Sequence, residues 1–217
     1  MKNTKIVFKL AFTGIMIALM FALSWTPLGM LPLGFASATT IFIPVAIGIC
    51  VMDDFRFTLA LGFGFGLSSL VRALAPAGPL DPFFVNPLVS ILPRVIAAIL
   101  THLVFRGLQK VIKVKQVNAS ITGLLMAFFN TLFTIPLLIL FIQVLGDGVN
   151  TIGMSYWAFI IVILPQMGAE IIVGGILTGL IFTGIYAVQS KTIARDQEES
   201  EEPDEKITIN DSENETN

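Results

Sequence analysis

Charged residues are scarce in this chain. Lys, Arg, Asp and Glu make up 13% of its 217 residues, whereas 55% are hydrophobic. An ordinary soluble domain carries about 25% charged residues, and a soluble fold of this size could not hide so much apolar surface. The composition therefore predicts an integral membrane protein and largely excludes soluble enzymes, nucleic-acid-binding proteins and secreted scaffolds.

Residues that commonly perform catalysis or hold metals are also few. Cys50 is the single cysteine and His102 the single histidine, so we expect no intramolecular disulfide, no metal site and no Ser-His-Asp triad. The sequence lacks a GxxxxGK[ST] motif, so ATP binding by a P-loop is not expected. We predict no enzymatic activity and no cofactor. Any uphill transport would then take its energy from an ion gradient or from a partner.

Acidic residues are rare outside the C-terminus. Residues 196–217 contain ten of the fifteen Asp and Glu, which leaves twelve cations against five acids before them, a net charge of +7. Such an acidic, apolar-poor segment is typical of disorder. We predict a transmembrane domain over residues 1–190 and an acidic, disordered cytoplasmic tail over 191–217.

Long hydrophobic runs, by contrast, are abundant. Six of them approach or exceed the 17–25 residues that a transmembrane helix needs. They cover about 8–26, 37–52, 57–75, 88–107, 118–144 and 156–188. The breaks between them include the Pro27–Gly34 segment, the proline-rich segment 76–87 and the Gly/Asp/Asn loop 146–153.

The basic residues predict the orientation of these helices. If all six cross the bilayer, eleven of the thirteen Lys and Arg fall on one side, and only Arg72 and Arg94 do not. The positive-inside rule then places both termini in the cytoplasm. The N-terminus also resembles a signal peptide, but its removal would put the basic C-terminal flank outside. We therefore predict an all-α, multi-pass protein of the cell membrane, with six transmembrane helices and an uncleaved first helix.

Four polar residues from four of the predicted helices lie at a similar depth. With a rise of about 1.5 Å per residue, Arg72, Arg94, Asn130 and Glu170 lie roughly 22, 18, 20 and 27 Å from the inner face. Polar groups from four helices at one depth predict a ligand pocket that opens outward. An arginine fork binds a carboxylate in a bidentate way, so a small acidic ligand is expected.

Aromatic and amide side chains flank these residues on the outer side. The candidate substrate-binding residues are Arg72, Phe84, Asn86, Arg94, Asn130, Gln166 and Glu170. Phe35, Phe83, Tyr156 and Trp157 are further outer aromatic residues. Structural roles remain open for several of them. Arg94 and Glu170 could pair with each other, Arg72 could extend to the interface, Asn130 could join two helices, and Tyr156 and Trp157 could be interfacial anchors.

Small residues recur at helical spacing in three of the helices. Helix 1 has Gly14, Ala18 and Ala22, helix 3 has Gly62 and Gly66, and helix 6 has Gly175 and Gly179. Such faces allow close helix–helix approach. Packing within the chain is the simplest interpretation for helices 3 and 6, whereas the longer stripe of helix 1 could contact a partner membrane protein.

Several segments together resemble a known family over residues 8–188. They are Ala18-xxx-Ala22, TTIFIPVAIG at Thr39–Gly48, GFGFGLSSLVR at Gly62–Arg72, and NPLVSILPR at Asn86–Arg94 after an aromatic, proline-rich loop. The chain resembles the substrate-binding S component of energy-coupling factor (ECF) vitamin transporters, and the last segment is most similar to pantothenate-type members. The acidic tail departs from the short C-terminus usual in that family.

The resemblance implies a bacterial six-helix S-component bundle that captures a vitamin outside the cell. It would associate with a transmembrane coupling subunit and two cytoplasmic ATPases, and topple in the bilayer to release the vitamin. The alanine face of helix 1, here Ala18 and Ala22 with Gly14 on the same stripe, would contact the coupling subunit. The pocket would be formed by the outer loops and helices 4–6, with Asn86, Arg94, Asn130 and Glu170.

Other functions remain open. The chain could be an S component for folate or riboflavin, or a stand-alone ion-coupled carrier in which Glu170 binds the proton. An intramembrane hydrolase that uses Glu170, or a structural membrane partner without a ligand, would also be compatible with the composition.

Overall fold

Six helices form the described part of the protein. A computed structural model describes residues 2–33, 36–75, 81–145, 161 and 164–191. The helices are α1 (Lys2–Ser24), α2 (Ile43–Met52), α3 (Phe55–Ala73), α4 (Pro87–Val111), α5 (Lys115–Leu145) and α6 (Leu164–Lys191). Helix α4 has a break at Ile91, between its first turn and the longer segment Leu92–Val111. The predicted all-α class and the number of helices are confirmed for the described residues.

Four of these helices are long and apolar enough to cross a membrane. The apolar spans are Thr4–Ser24, Pro87–Val111, Lys115–Gln143 and Leu164–Lys191. Their 21–29 residues correspond to about 31–43 Å, against a hydrocarbon core of about 30 Å. These spans indicate a multi-pass membrane protein.

Helix α2 is shorter than predicted. The second hydrophobic run, 37–52, forms a helix only from Ile43, which gives ten residues or about 15 Å. Residues 30–33 and 36–39 instead pair as an antiparallel hairpin of strands β1 (Met30–Leu33) and β2 (Ala36–Thr39). Pro44 suits the first turn of a helix, where a missing N–H costs nothing. The prediction of a helix from residue 37 is therefore wrong.

Two 3-10 turns complete the outer connections. Pro27–Gly29 leads from α1 into the hairpin, and Asp81–Val85 leads into α4. The Thr40 N–H donates to the Gly29 carbonyl at 3.0 Å, and the Thr40 hydroxyl donates to Leu28 O. These bonds hold the base of the hairpin between α1 and α2.

The core surrounds α2. Eight of its ten residues are buried, and it contacts α1, α3, α4 and α5. Glycines bring the other helices close: a Cβ at Gly66 of α3 would lie 2.6 Å from Ile91 Cα, and one at Gly175 of α6 would lie 2.6 Å from the Leu124 side chain of α5. The small faces of helices 3 and 6 therefore pack within the chain, as the simplest interpretation predicted.

The small-residue stripe of α1 faces away from this core. Gly14, Ala18 and Ala22 are exposed, and a Cβ at Gly14 would meet no atom within 4 Å. The opposite face of α1 carries the buried residues Thr13, Met16, Met20 and Ser24. No residue in the described part of the chain covers the stripe.

Charged residues close the end of the bundle that the sequence places in the cytoplasm. Asp53 ends α2 in the left-handed conformation (φ 41°), and Asp54 caps α3 by accepting a hydrogen bond from the Arg56 N–H at 3.1 Å. Lys9 Nζ of α1 lies 2.9 Å from Asp54 Oδ2, and Arg106 Nε of α4 lies 3.3 Å from Asp53 Oδ1. The turn thus joins four helices.

We expect Asp54→Ala to destabilise the protein more than Asp54→Asn. Alanine removes both the helix cap, worth about 1 kcal/mol, and the ion pair, worth about 0–1 kcal/mol, whereas asparagine keeps a capping oxygen. The free energy of unfolding, measured by denaturant titration in detergent at neutral pH, should therefore rank wild type, Asn, Ala. Equal losses in both variants would contradict a capping contribution.

The Asp54 carboxylate also makes the stability of the protein depend on pH. The hydrogen bond from Lys9 is the main reason that the pKa of Asp54 lies below its ordinary value of 3.8. A lowered pKa means that the unfolded chain binds the proton more readily. The contribution of Asp54 to stability is therefore complete above pH 3.8 and is lost as the pH falls toward the lower folded value. The Asp54→Asn variant should lack this part of the acid-induced loss.

The chain divides into two units, Met1–Leu180 and Ile181–Asn217. Of the second unit, the structure describes only the last turns of α6, where the Phe182 and Tyr186 rings stack with centroids 6.3 Å apart. The predicted disordered tail lies, apart from Lys191, outside the described residues.

Candidate functional site

A cavity of about 280 Å³ lies among α3, α4, α5, α6 and the end of strand β2. Six of the seven predicted substrate-binding residues line it. These are Arg72, Phe84, Arg94, Asn130, Gln166 and Glu170. The four residues that share a depth in the sequence are thus brought to one cavity, although they come from four helices. Phe35, Tyr156 and Trp157 lie outside the described residues.

Asn86 is the predicted residue that does not line the cavity. Its side-chain oxygen accepts a hydrogen bond from the Leu88 N–H at 3.0 Å and caps the first turn of α4. Asn is a preferred N-cap residue, and Pro87 suits the first helical position that follows. Asn86 therefore positions the start of α4, and its predicted place among the cavity residues is wrong.

The break in α4 explains how Arg94 is held. Pro93 has no N–H, so it cannot make the i→i−4 hydrogen bond to the Val89 carbonyl. Arg94 Nη1 donates to that carbonyl instead, at 2.6 Å. The guanidinium also lies over the rings of Phe84 and Phe65, at 5.0 and 5.9 Å from their centroids. The segment NPLVSILPR thus forms the start of α4 and also provides the carbonyl that positions Arg94.

Arg94 is buried without a carboxylate partner. Its side chain is 7% exposed, and its Nε has no hydrogen-bond partner among the described residues. The ion pairs of the described chain are those at the charged turn, so Arg94 and Glu170 do not pair directly. A desolvated cation is costly unless it is compensated. A ligand carboxylate is the group that would compensate it.

The Glu170 carboxylate is instead held by three neutral donors. Oε1 accepts from the Thr39 N–H at 3.1 Å and from Gln166 Nε2 at 3.4 Å, and Oε2 accepts from the Thr131 hydroxyl at 3.3 Å. These contacts connect the end of the hairpin, α5 and α6 through one side chain. Glu170 therefore shapes the cavity wall, and the sequence offered no indication of its contact with Thr39.

Helix α5 contributes a polar face that sequence reasoning found only in part. Asn130, Thr131 and Thr134 all line the cavity. The Asn130 amide oxygen and the Thr134 hydroxyl are buried and have no partner within the described ranges, so Asn130 does not join two helices through that oxygen. Residues four apart share a helix face, and this spacing from Asn130 is the signal that could have identified Thr134.

Arg72 lies at a more open part of the cavity. It is half-exposed, its guanidinium lies 5.4 Å from the centroid of the Trp25 ring, and it donates to the Ala75 carbonyl at the end of α3. Two arginines and one glutamate give the cavity a formal net charge of +1. Its charge and its aromatic residues Phe65 and Phe84 therefore favour an anionic ligand with an apolar portion.

Comparison of the sequence with known protein families and with curated proteins finds no match. The function must therefore be inferred from the site itself.

Proposed function

We propose that this protein is the substrate-binding subunit of an ECF-type transporter, and that it captures a small acidic vitamin, pantothenate, from outside the cell. The resemblance of segments such as NPLVSILPR supports this proposal, and the cavity supports it independently of the family. Uptake would be powered by partner ATPases through a transmembrane coupling subunit, because the chain itself has no nucleotide-binding motif.

The observation that carries the proposal is that the buried Arg94 makes no direct ion pair among the described residues. A buried guanidinium with a free Nε and no carboxylate within 4.0 Å among the described residues fits a ligand that supplies the carboxylate. Pantothenate has one carboxylate together with an amide and two hydroxyls. Its carboxylate would pair with Arg94, and its amide and hydroxyls would form hydrogen bonds with the amide and hydroxyl side chains of α5.

The size of the cavity supports a compact ligand. About 280 Å³ lies just below the range of roughly 300–1,000 Å³ for small-molecule sites. Pantothenate is a flexible, single-chain acid, whereas folate and riboflavin carry fused ring systems. The volume therefore favours pantothenate over these two alternatives.

The outer face of α1 supports a partner in the membrane. Gly14, Ala18 and Ala22 form an exposed small-xxx-small stripe, which lets a second helix approach closely. We propose that the coupling subunit docks there. The longer crossing helices α1, α4, α5 and α6, with α2 and α3 completing six passes, would leave both termini in the cytoplasm.

A second candidate is a stand-alone ion-coupled carrier. Glu170 is 6% exposed and lines the cavity, as a proton-binding carboxylate in a carrier would. Its three neutral hydrogen-bond donors, however, suit a carboxylate with a fixed structural role. Agents that collapse ion gradients would stop uptake by a carrier, whereas deletion of partner ATPases would not.

The decisive experiment is ligand binding by the purified full chain in lipid nanodiscs, without partners, across a panel of labelled vitamins. Saturable binding of pantothenate, with weaker or no binding of folate and riboflavin, is the expected result. Binding of another vitamin would overturn the assignment of the ligand. Binding of none by well-folded protein would overturn the proposed function.

A further inference from the structure

The hydroxyl of Thr134 differs from those of three other buried helical threonines in the described part of the chain. The hydroxyl of Thr178 on α6 also lacks a partner there, but Thr134 lines the cavity whereas Thr178 does not. Thr13, Thr101 and Thr122 are also buried on helices, and each donates a 2.7 Å hydrogen bond to the carbonyl four residues earlier. Thr134 is 8% exposed, yet its hydroxyl makes no such bond and has no other partner in the described part of the chain. Because an unsatisfied buried hydroxyl is costly, its position on the cavity wall points to a ligand.

Asn130 lies one turn before Thr134 on the same face of α5. It is also 8% exposed, it lines the same cavity, and its amide oxygen is likewise without a partner among the described residues. An amide oxygen can only accept a hydrogen bond, whereas a hydroxyl can both donate and accept. Together these two side chains call for a ligand group that can donate.

Arg94, in contrast, needs a ligand group that accepts a hydrogen bond. The guanidinium has only donors, and its Nε lacks an acceptor within the described residues. The cavity thus needs an acceptor beside α4 and a donor beside α5. An ammonium group would suit the donor position poorly, because Arg72, Arg94 and Glu170 already give the cavity a net positive charge. A hydroxyl is a neutral group that can donate to the Asn130 oxygen and also accept from the Thr134 hydroxyl, whereas an amide N–H can only donate.

We propose that Asn130 and Thr134 form a hydroxyl-binding subsite, which makes this protein select carboxylic acids that carry a hydroxyl over their deoxy analogues. This inference rests on the proposed capture function and names the second group that the site recognises. A site built to hydrogen-bond a hydroxyl rejects the analogue without it, because its own buried polar groups then stay unpaired. We expect a discrimination of about 10- to 100-fold, which corresponds to the usual cost of such unpaired groups.

The test compares pantothenate with the analogue in which both hydroxyls are replaced by hydrogen. Affinities are measured by titration calorimetry on the full chain in nanodiscs. Thr134→Val removes the hydroxyl at nearly constant shape, and Thr134→Ser retains it. The matched control is Thr122→Val, which removes a buried hydroxyl from the same helix at a position that does not line the cavity. β-Alanine serves as the acid that carries an ammonium.

The expected result is specific to one ligand and one variant. Thr134→Val should weaken pantothenate binding by about 10- to 100-fold, leave the affinity for the deoxy analogue unchanged, and so abolish discrimination. Thr134→Ser and Thr122→Val should retain discrimination, and β-alanine should bind no better than the deoxy analogue.

Two results would overturn the inference while the proposed function stands. One is pantothenate binding by a folded Thr134→Val variant with wild-type discrimination. The other is an equal loss for both ligands in Thr134→Val and Thr134→Ser, which would mean that Thr134 acts by packing. Failure of the wild-type chain to bind pantothenate, its deoxy analogue or any vitamin of the panel would overturn the proposed function together with the subsite.

Discussion

Arg94→Ala is expected to weaken vitamin binding by at least about 30-fold, equivalent to about 2 kcal/mol. In the proposed complex the guanidinium pairs with the ligand carboxylate in a buried site, and truncation leaves that carboxylate without its partner. Affinity is measured by titration calorimetry on the purified chain in nanodiscs. Arg94→Lys should recover only part of the loss, because an ammonium lacks the planar fork that binds both carboxylate oxygens.

Arg72→Ala provides the matched control. Arg72 lines the same cavity but is half-exposed and stacks on Trp25. Its removal should lower the association rate more than it raises the dissociation rate, and the effect should shrink at high salt, because exposed charges steer ligands and are screened. An Arg94→Ala variant that keeps wild-type unfolding behaviour and wild-type affinity would exclude a carboxylate-binding role for Arg94.

Replacement of both Ala18 and Ala22 by tryptophan is expected to abolish uptake while ligand binding stays intact. Both residues are exposed on the face of α1 opposite its buried side, so bulky side chains there need not disturb the fold. A docked helix, however, could no longer approach closely. Uptake is measured with labelled vitamin in cells that express the whole transporter, and binding is measured on the purified chain.

Leu19→Trp is the control for the presence of a large ring on α1. Leu19 is 42% exposed and lies about 100° around the helix from Ala18, so its replacement should leave uptake near the wild-type level. Loss of ligand binding in the double tryptophan variant would show that the stripe supports the fold instead of docking a partner. Full uptake in that variant would remove α1 as the docking surface.

The sequence by itself predicted the helices and the meeting of most candidate site residues. Long apolar runs produce helices α1, α4, α5 and α6 because only a helix satisfies every backbone group within one apolar segment. Arg72, Arg94, Asn130 and Glu170 could be placed at one depth because helical rise converts residue number into distance. That depth made a common cavity a reasonable prediction, and the packing of the helices brings the four side chains to it. Their binding of a ligand remains a prediction.

Contacts between distant segments were decided only by the tertiary structure. Residues 36–39 continue an apolar run that reads as helix, but pairing with 30–33 makes them a strand. Asn86 and Glu170 are both predicted ligand contacts, and only the structure gives their partners within the chain. Asn86 caps the first turn of α4, and Glu170 accepts a hydrogen bond from Thr39, 131 residues away in sequence. The physical reason is that spacing along the chain determines the depth and face of a side chain, whereas its hydrogen-bond partners depend on which other segment folds against it.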